Sequence, residues 1–401
     1  MIRLPLAAAV AAALLCGAPA RAQDVVKDSP KDVRSNVRLE LATWGGGFDG
    51  EGTRTDSGGV AVIEAKASPR LRREGWWLDV PFRVAHRQTF GATLSQTTGG
   101  LDLEPWFVVS KALRVGLEAG AYGRWAPDWP DQYQRDPITG ALAPTDRYSY
   151  LAVRGGAALY ARPAAHQHLR ARYRYVAQDY SHDPDFQPNL TPGHLTPRDN
   201  RRHELDLHWR YTQRAWALAL RLDWARRSEQ ELVSRDALTG SINFPANPNP
   251  LQVTNLWTPS GELELRDLLG GVLELSLGYG IEFQEDTWEG YYSYTEHHPH
   301  VAARLELTKR LAATAQYEGW FRTYGPNGTA PGRLDYGTRR ESSMFRVTGE
   351  LGYRLRDDLT ARAVVEYTDR RTNYPDYTPP GSDIDWDYVN LYAVFGLEYR
   401  M

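Results

Sequence analysis

The sequence has little cysteine, methionine or lysine and almost no long apolar run. Its 401 residues include one Cys and three Met, and Lys supplies only 5 of the 47 basic residues. Apart from residues 5–20, no stretch is apolar enough to cross a membrane as a helix, which excludes a helical membrane protein. The net charge is -3 at pH 7, without blocks of one sign. We therefore expect no nucleic-acid partner, and no motif predicts a cofactor or a metal site.

The first 22 residues have the pattern of a signal peptide. Arg3 gives a positive start, an apolar region runs from Leu4 to Leu15, and an Ala-x-Ala cleavage site ends at Ala22. Cleavage there removes Cys16, so the mature chain would hold no disulfide and no thiol nucleophile. The pattern predicts a signal peptide at 1–22, a short periplasmic segment at 23–35 and one further domain at 36–401.

The mature chain is rich in aromatic residues, with 23 Tyr and 13 Trp, and it alternates between apolar and polar side chains. Successive side chains of a β-strand point to opposite faces, so this period of two indicates strands with one apolar face. Between residues 271 and 284 one face carries Leu273, Leu275, Leu277, Tyr279, Ile281 and Phe283. The opposite face carries Glu274, Ser276, Gly278, Gly280, Glu282 and Gln284.

About 16 segments follow this pattern, with 14 to 18 as the range of the count. Many are long enough to cross a bilayer at a tilt. They lie near 36–45, 59–68, 75–88, 100–109, 113–125, 147–162, 168–179, 201–211, 215–227, 257–266, 271–285, 298–308, 311–324, 342–354, 358–371 and 386–400.

The connections between these segments alternate between long and short. From a periplasmic start, this is the order of external loops and periplasmic turns in a membrane barrel. The polar face is full of charge, whereas the apolar face carries Trp and Tyr near its ends, as at the two surfaces of a membrane. The sequence therefore predicts an all-β fold, a transmembrane up-and-down antiparallel β-barrel.

These features together resemble the porin-like β-barrels of the Gram-negative outer membrane, among them the barrels that export exopolysaccharide. The resemblance covers nearly all of the mature chain and lies in its pattern rather than in a motif. It implies a location in the bacterial outer membrane, with outer-membrane lipid, the barrel-assembly machinery and periplasmic polysaccharide-export components as partners. One departure is the C-terminus: such barrels usually end in Phe or Trp, whereas this chain ends in Met401.

The inward face is predicted to carry both signs of charge. Segments five to seven contribute a basic group, and segments ten and eleven an acidic group. The basic group is Arg114, Arg124, Arg154, Arg170, Arg172 and Arg174. The acidic group is Glu262, Glu264, Glu274 and Glu282. These charges could form cross-strand ion pairs that stiffen the wall, or line a wet lumen with a transverse field.

The favoured interpretation is a non-enzymatic channel that passes hydrophilic cargo, either small polar solutes or a secreted polysaccharide. Arg170, Arg172 and Arg174 repeat at every second residue and would attract anionic cargo, unless Glu204 and Asp206 on the next segment neutralise them. One alternative is a closed structural or adhesive barrel whose loops bind a surface partner. The other is a barrel-embedded hydrolase, although no outward Ser and His lie in adjacent segments.

Overall fold

A computed structural model of the chain describes residues 34–47, 55–90, 95–126, 129–135, 142–145, 149–180, 199–234, 249–290, 292–325, 341–372 and 388–400. The predicted signal peptide, 1–22, lies outside these residues, as does all but the end of the predicted periplasmic segment, 23–35. Both stay predictions. The wall begins at Arg34, slightly before residue 36, where the sequence pattern placed it.

The regular structure of the described residues is β-strand throughout. None of these residues forms a helix that is long and apolar enough to cross a membrane. The strands are β1 (Arg34–Gly47), β2 (Thr55–Ser68), β3 (Arg70–Arg73), β4 (Trp76–Asp79), β5 (Phe82–Phe90), β6 (Ser95–Val108), β7 (Leu113–Trp125), β8 (Trp129–Arg135), β9 (Leu142–Thr145), β10 (Tyr150–Ala164), β11 (Gln167–Tyr180), β12 (Asn200–Thr212), β13 (Trp216–Val233), β14 (Leu251–Leu268), β15 (Leu273–Asp286), β16 (Tyr294–Glu306), β17 (Leu311–Tyr324), β18 (Glu341–Arg356), β19 (Leu359–Thr372) and β20 (Tyr388–Arg400).

The strands form an up-and-down antiparallel wall, because each pairs with its neighbours along the chain. β1 pairs with β2 and also with β20, from Asn36 opposite Arg400 to Gly47 opposite Val389. The wall therefore closes into a barrel. When β2 with β3 and β4 with β5 are each counted as one interrupted strand, the described residues contain 16 wall strands, as the alternation predicted. β8 and β9 form a separate hairpin within a predicted external loop.

Two prolines interrupt strands of the wall, one directly after the predicted segment 59–68 and one inside the predicted segment 75–88. Pro69 separates β2 from β3, and Pro81 lies between β4 and β5. A proline has no N–H to donate to a strand ladder, so it interrupts regular pairing. The carbonyl oxygens remain acceptors: Pro69 O accepts from Val80 N at 3.0 Å and Pro81 O from Asp102 N at 2.9 Å. The wall thus stays continuous across the break.

The distribution of burial is the reverse of that in a water-soluble protein. Leu151 and Phe395 are 60% and 65% exposed, whereas Glu118 and Asp206 are only 6% and 5% exposed. Large apolar side chains on the outer face suit contact with lipid, and charged side chains on the inner face suit water and one another. This arrangement confirms the predicted membrane barrel.

Candidate functional site

The candidate site is the inner face of the barrel, where ion pairs connect neighbouring strands. Arg154 on β10 is a centre of these contacts. Its Nε donates to Asp102 Oδ1 on β6 at 2.8 Å, and the same nitrogen lies 3.6 Å from Glu118 Oε1 on β7. Gly120 makes room for the first contact, because a Cβ there would collide with the Asp102 carboxylate. A missing side chain thus lets Arg154 reach over β7 to β6.

The three arginines of β11 differ in their contacts. Arg170 Nη2 donates to Asp206 Oδ1 at 2.9 Å, and Arg174 Nη2 lies 2.8 Å from Glu204 Oε2. The structure thus brings both arginines to the acids that the sequence analysis named as neutralising partners. Within the described residues, Arg172 forms no ion pair, and its buried Nε has no hydrogen-bond partner. The row is therefore partly paired: Arg170 and Arg174 contact carboxylates, and within the described residues Arg172 has no ion pair.

The other two predicted basic residues lie near opposite ends of β7. The Arg114 guanidinium lies over aromatic rings, 5.3 Å from the centre of Trp77 and 5.5 Å from that of Tyr160. Arg124 lies toward the external end, opposite Tyr150 of β10. Among the residues that the structure describes, Arg114 thus contacts aromatic faces and no carboxylate.

The four predicted acidic residues lie on β14 and β15, separated from the basic group by β12 and β13. Glu264 accepts from Arg210 Nη2 at 2.6 Å and from Arg266 Nη2 at 2.5 Å. Glu262 Oε1 lies 3.9 Å from His300 Nε2. The Tyr294 hydroxyl donates to Glu282 at 2.5 Å, and Glu274 is exposed opposite Arg304. Basic side chains therefore intrude into the acidic region, and a transverse field between the two groups stays a prediction.

His298 and His300 share one face of β16, as the alternation indicates. The His298 ring stacks on Trp320 with centroids 4.8 Å apart. The His300 ring occupies the space that a Cβ at Gly278 would fill. Among the described residues, no group of three or more His, Cys, Asp or Glu side chains is placed to hold a metal ion.

Two cavities open along the inner face toward the ends of the strands at the short turns. One, of about 830 Å³, is bordered by Lys309, Arg310, Arg354 and Asp357, near the turns after β16 and β18. The other, of about 630 Å³, is bordered by a cluster of Trp77, Trp106, Arg114 and Tyr160. Sequence analysis did not single out these aromatic residues. The sequence gave only a weak signal for them, namely aromatic side chains at inward positions of an otherwise polar face.

Comparison with known proteins shows the fold. No protein-family model matches this sequence, and no curated protein is similar to it in sequence. Among solved structures, OccAB1 of Acinetobacter baumannii has a TM-score of 0.51 at 10% identity, over 95% of this chain and 99% of that one. OpdQ of Pseudomonas aeruginosa has a TM-score of 0.45 at 10% identity, over 92% of this chain and 100% of that one. OmpT of Vibrio cholerae has a TM-score of 0.44 at 13% identity, over 92% of this chain and 97% of that one.

The similarity to OccAB1 is one of fold, that of an outer-membrane β-barrel porin. This fold agrees with the architecture that the alternation predicted. Together with the apolar outer face, it agrees with the predicted location in the bacterial outer membrane, where that face contacts lipid. The cargo has to be inferred from the inner face of this chain.

Proposed function

We propose that this chain is a non-enzymatic channel that passes hydrophilic solutes across the outer membrane. The observation that carries the proposal is the inner face, where charged and hydroxyl-bearing side chains take the positions that a packed core would fill with apolar ones. A barrel of about 16 strands is wide enough to leave an aqueous path. Charges on the wall of such a path attract some ions and repel others.

Small polar solutes are the first cargo class. The second is a secreted polysaccharide, for which periplasmic export components would be partners. A single solute needs only local contacts in the lumen, whereas a polymer needs repeated contacts along its whole length. Arg172, which forms no ion pair with the described residues, favours anionic members of either class. Folding by the barrel-assembly machinery belongs to the same proposal.

The test is conductance of the refolded full-length protein in a planar lipid bilayer. We expect discrete open-channel currents and, in a salt gradient, a reversal potential that reports a preference for anions. A folded protein without conductance would contradict the channel and favour the closed structural or adhesive barrel. Release of fatty acid or peptide by the folded protein would instead favour a hydrolase.

The matched control for the selectivity is Arg201→Gln. Arg201 lies on the outer face of β12, where it binds Asp179 at 2.6 Å. Its replacement should leave the reversal potential unchanged, because its charge does not face the path. A shift as large as that from an inward arginine would contradict the assignment of faces.

A further inference from the structure

The outer face of the wall carries arginines near the external loops, where the barrel borders lipid. Of those in the described residues, Arg201 binds Asp179 at 2.6 Å and Arg371 binds Asp369 at 2.8 Å. Arg226 of β13 is exposed on the same outer face and forms no ion pair with the residues that the structure describes. A cation beside lipid needs a counter-charge or water, so the position of Arg226 calls for an explanation.

Two tryptophans of the same strand give the height of Arg226 in the membrane. Trp216 and Trp224 lie on the outer face of β13, about 26 Å apart along the strand and about 20 Å apart along the membrane normal at the usual tilt. This separation is that of the two aromatic belts that border the apolar band of a barrel. Arg226 is the next outer-face residue beyond Trp224, about 5 Å further out. It therefore lies at the level of the external headgroups.

Arg226 is the centre of a row of hydrogen-bonding side chains across three strands. It lies directly opposite His203 of β12 and Asn255 of β14, a register that brings the Cβ atoms of neighbours to about 4.5–5.5 Å. The Tyr173 hydroxyl is 2.7 Å from His203 Nδ1. When that hydroxyl donates, the proton of the neutral imidazole is on Nε2, which then is a donor itself. The row thus offers a guanidinium, an imidazole and an amide side by side.

A carboxylate in the same row does not reach Arg226. Glu285 of β15 lies opposite Asn255 and accepts a hydrogen bond from Asn255 Nδ2 at 3.3 Å. The Asn255 side chain stands on the strand between Arg226 and Glu285. By contrast, the inward Arg210 reaches a carboxylate two strands away across an alanine, Ala217. The guanidinium of Arg226 therefore keeps its donors for a group that comes from outside the protein.

From this juxtaposition we infer that Arg226, His203 and Asn255 bind the phosphate of a lipid headgroup in the external leaflet. A guanidinium donates two parallel hydrogen bonds to a phosphate, and the imidazole and amide donate to its other oxygens. Trp224 and Trp257, with ring centroids 5.8 Å apart, lie on the membrane side of the row and offer indole surface to the rest of the lipid. The site faces away from the lumen, so the inference goes beyond the proposed channel and does not depend on it.

The test is native mass spectrometry of the folded full-length barrel in detergent, titrated with lipid A that carries two phosphates. We expect the wild-type protein to keep one lipid tightly bound, and Arg226→Gln to weaken that binding by about tenfold or more, as for the loss of a charged hydrogen bond. Arg226→Lys keeps the charge but not the planar donor pair, so it should also bind more weakly, and it serves if the Gln variant does not fold. Unchanged affinity in the folded variants would overturn the site.

The matched control is Arg73→Gln. Arg73 of β3 is an exposed arginine opposite Trp76, on the outer face at the other end of the wall. Its loss should leave the affinity for lipid A unchanged, because it lies near the short turns and not near the external headgroups. An equal loss of affinity in the Arg73 and Arg226 variants would overturn the site, because general attraction of an anionic lipid by the barrel would then account for the binding.

The choice of ligand tests the chemistry. Dephosphorylated lipid A should bind more weakly than lipid A, and equal binding of the two would overturn the site. Inorganic phosphate should not displace lipid A at equal concentration, and displacement would overturn the assignment to a lipid. Equal affinity for phosphatidylglycerol would support the site, with anionic phospholipids in general as its ligands.

Planar-bilayer conductance separates this site from the proposed channel. In bilayers of phosphatidylcholine, Arg226→Gln should conduct as the wild-type protein does, because Arg226 does not face the lumen. A wild-type protein that conducts but binds no lipid A would overturn the site and leave the channel. A protein that binds lipid A without conducting would overturn the channel and leave the site.

Discussion

Arg210 reaches across an entire strand to bind Glu264. Arg210 lies on β12 and Glu264 on β14, yet Arg210 Nη2 is 2.6 Å from one carboxylate oxygen of Glu264 and 2.7 Å from the other. The strand between them, β13, presents Ala217 opposite Glu264 and Ala219 opposite Arg210. Ala217 is 1% exposed and lies on the strand that the ion pair crosses.

With this geometry, the ion pair between Arg210 and Glu264 needs a small side chain at position 217. We expect Ala217→Leu to fill the space under the Arg210 side chain and to destabilise the barrel by about 1–3 kcal/mol, the usual cost of overpacking. The urea concentration at which the gel mobility of the folded form is lost measures the effect. Ala157→Leu, on the exposed outer face of β10, is the control. Equal stability of the two variants would contradict the role of Ala217.

The alternation along β15 predicts which side chains face lipid. Leu277 is 40% exposed on the outer face, and Ser276 follows the inward phase. Leu277→Arg should cost about 2–4 kcal/mol near the middle of the membrane, whereas Ser276→Arg should fold almost normally. Folding yield into lipid vesicles, read from heat-dependent gel mobility, tests this. If the Leu277 variant folds as well as the Ser276 variant, the assignment of faces is wrong.

Closure of the wall depends on its last strand. β20 pairs with both β19 and β1, so deletion of residues 386–401 would leave two strands with unpaired edges in lipid. The wild-type protein should shift its gel mobility on heating, and the truncated protein should not. A truncated protein that keeps the shift would contradict closure by β20.

Single substitutions in the arginine row of β11 should separate selectivity from stability. Arg172 forms no ion pair with the described residues, so Arg172→Gln should keep stability and shift the reversal potential toward cations. Arg170→Gln removes one of the two arginines that contact Asp206, with Arg221 left at 3.0 Å. It should shift the reversal potential in the same direction but lower stability by about 1–3 kcal/mol. Replacement of all three arginines that leaves the reversal potential of an open channel unchanged would remove the row from the mechanism.

The wall could be predicted from the sequence because strand periodicity is local. The face on which each residue of β15 lies follows from the residues two positions before and after it. No other strand has to be known to assign it. The long and short connections then order the strands. The break at Pro81 was not foreseen, because the predicted segment 75–88 continues across it. Strand β3 was missed, because the predicted segment 59–68 ends before Pro69.

The contacts of the inner face were less predictable because they depend on register and on how far each strand is staggered. The ion pair between Arg210 and Glu264 requires small residues on a third strand, and the position of Trp106 over Gly116 requires the register of β6 with β7. Alternation places an arginine inside the barrel but does not say whether a carboxylate or an aromatic ring will lie beside it. Arg170 lies beside a carboxylate, that of Asp206, whereas Arg114 lies beside the rings of Trp77 and Tyr160.

The pairing of β1 with β20 also fixes when this protein can enter its membrane. Of the described strands, β1 is synthesised first and finds one of its two partners only after β20, the last of them, has left the ribosome. Insertion during synthesis would expose an unpaired edge to hydrocarbon, so we expect the chain to cross the inner membrane before the wall forms. The alternation is compatible with this crossing. The described strands are apolar at about every second residue, so none of them resembles a membrane helix that would stop in the inner membrane.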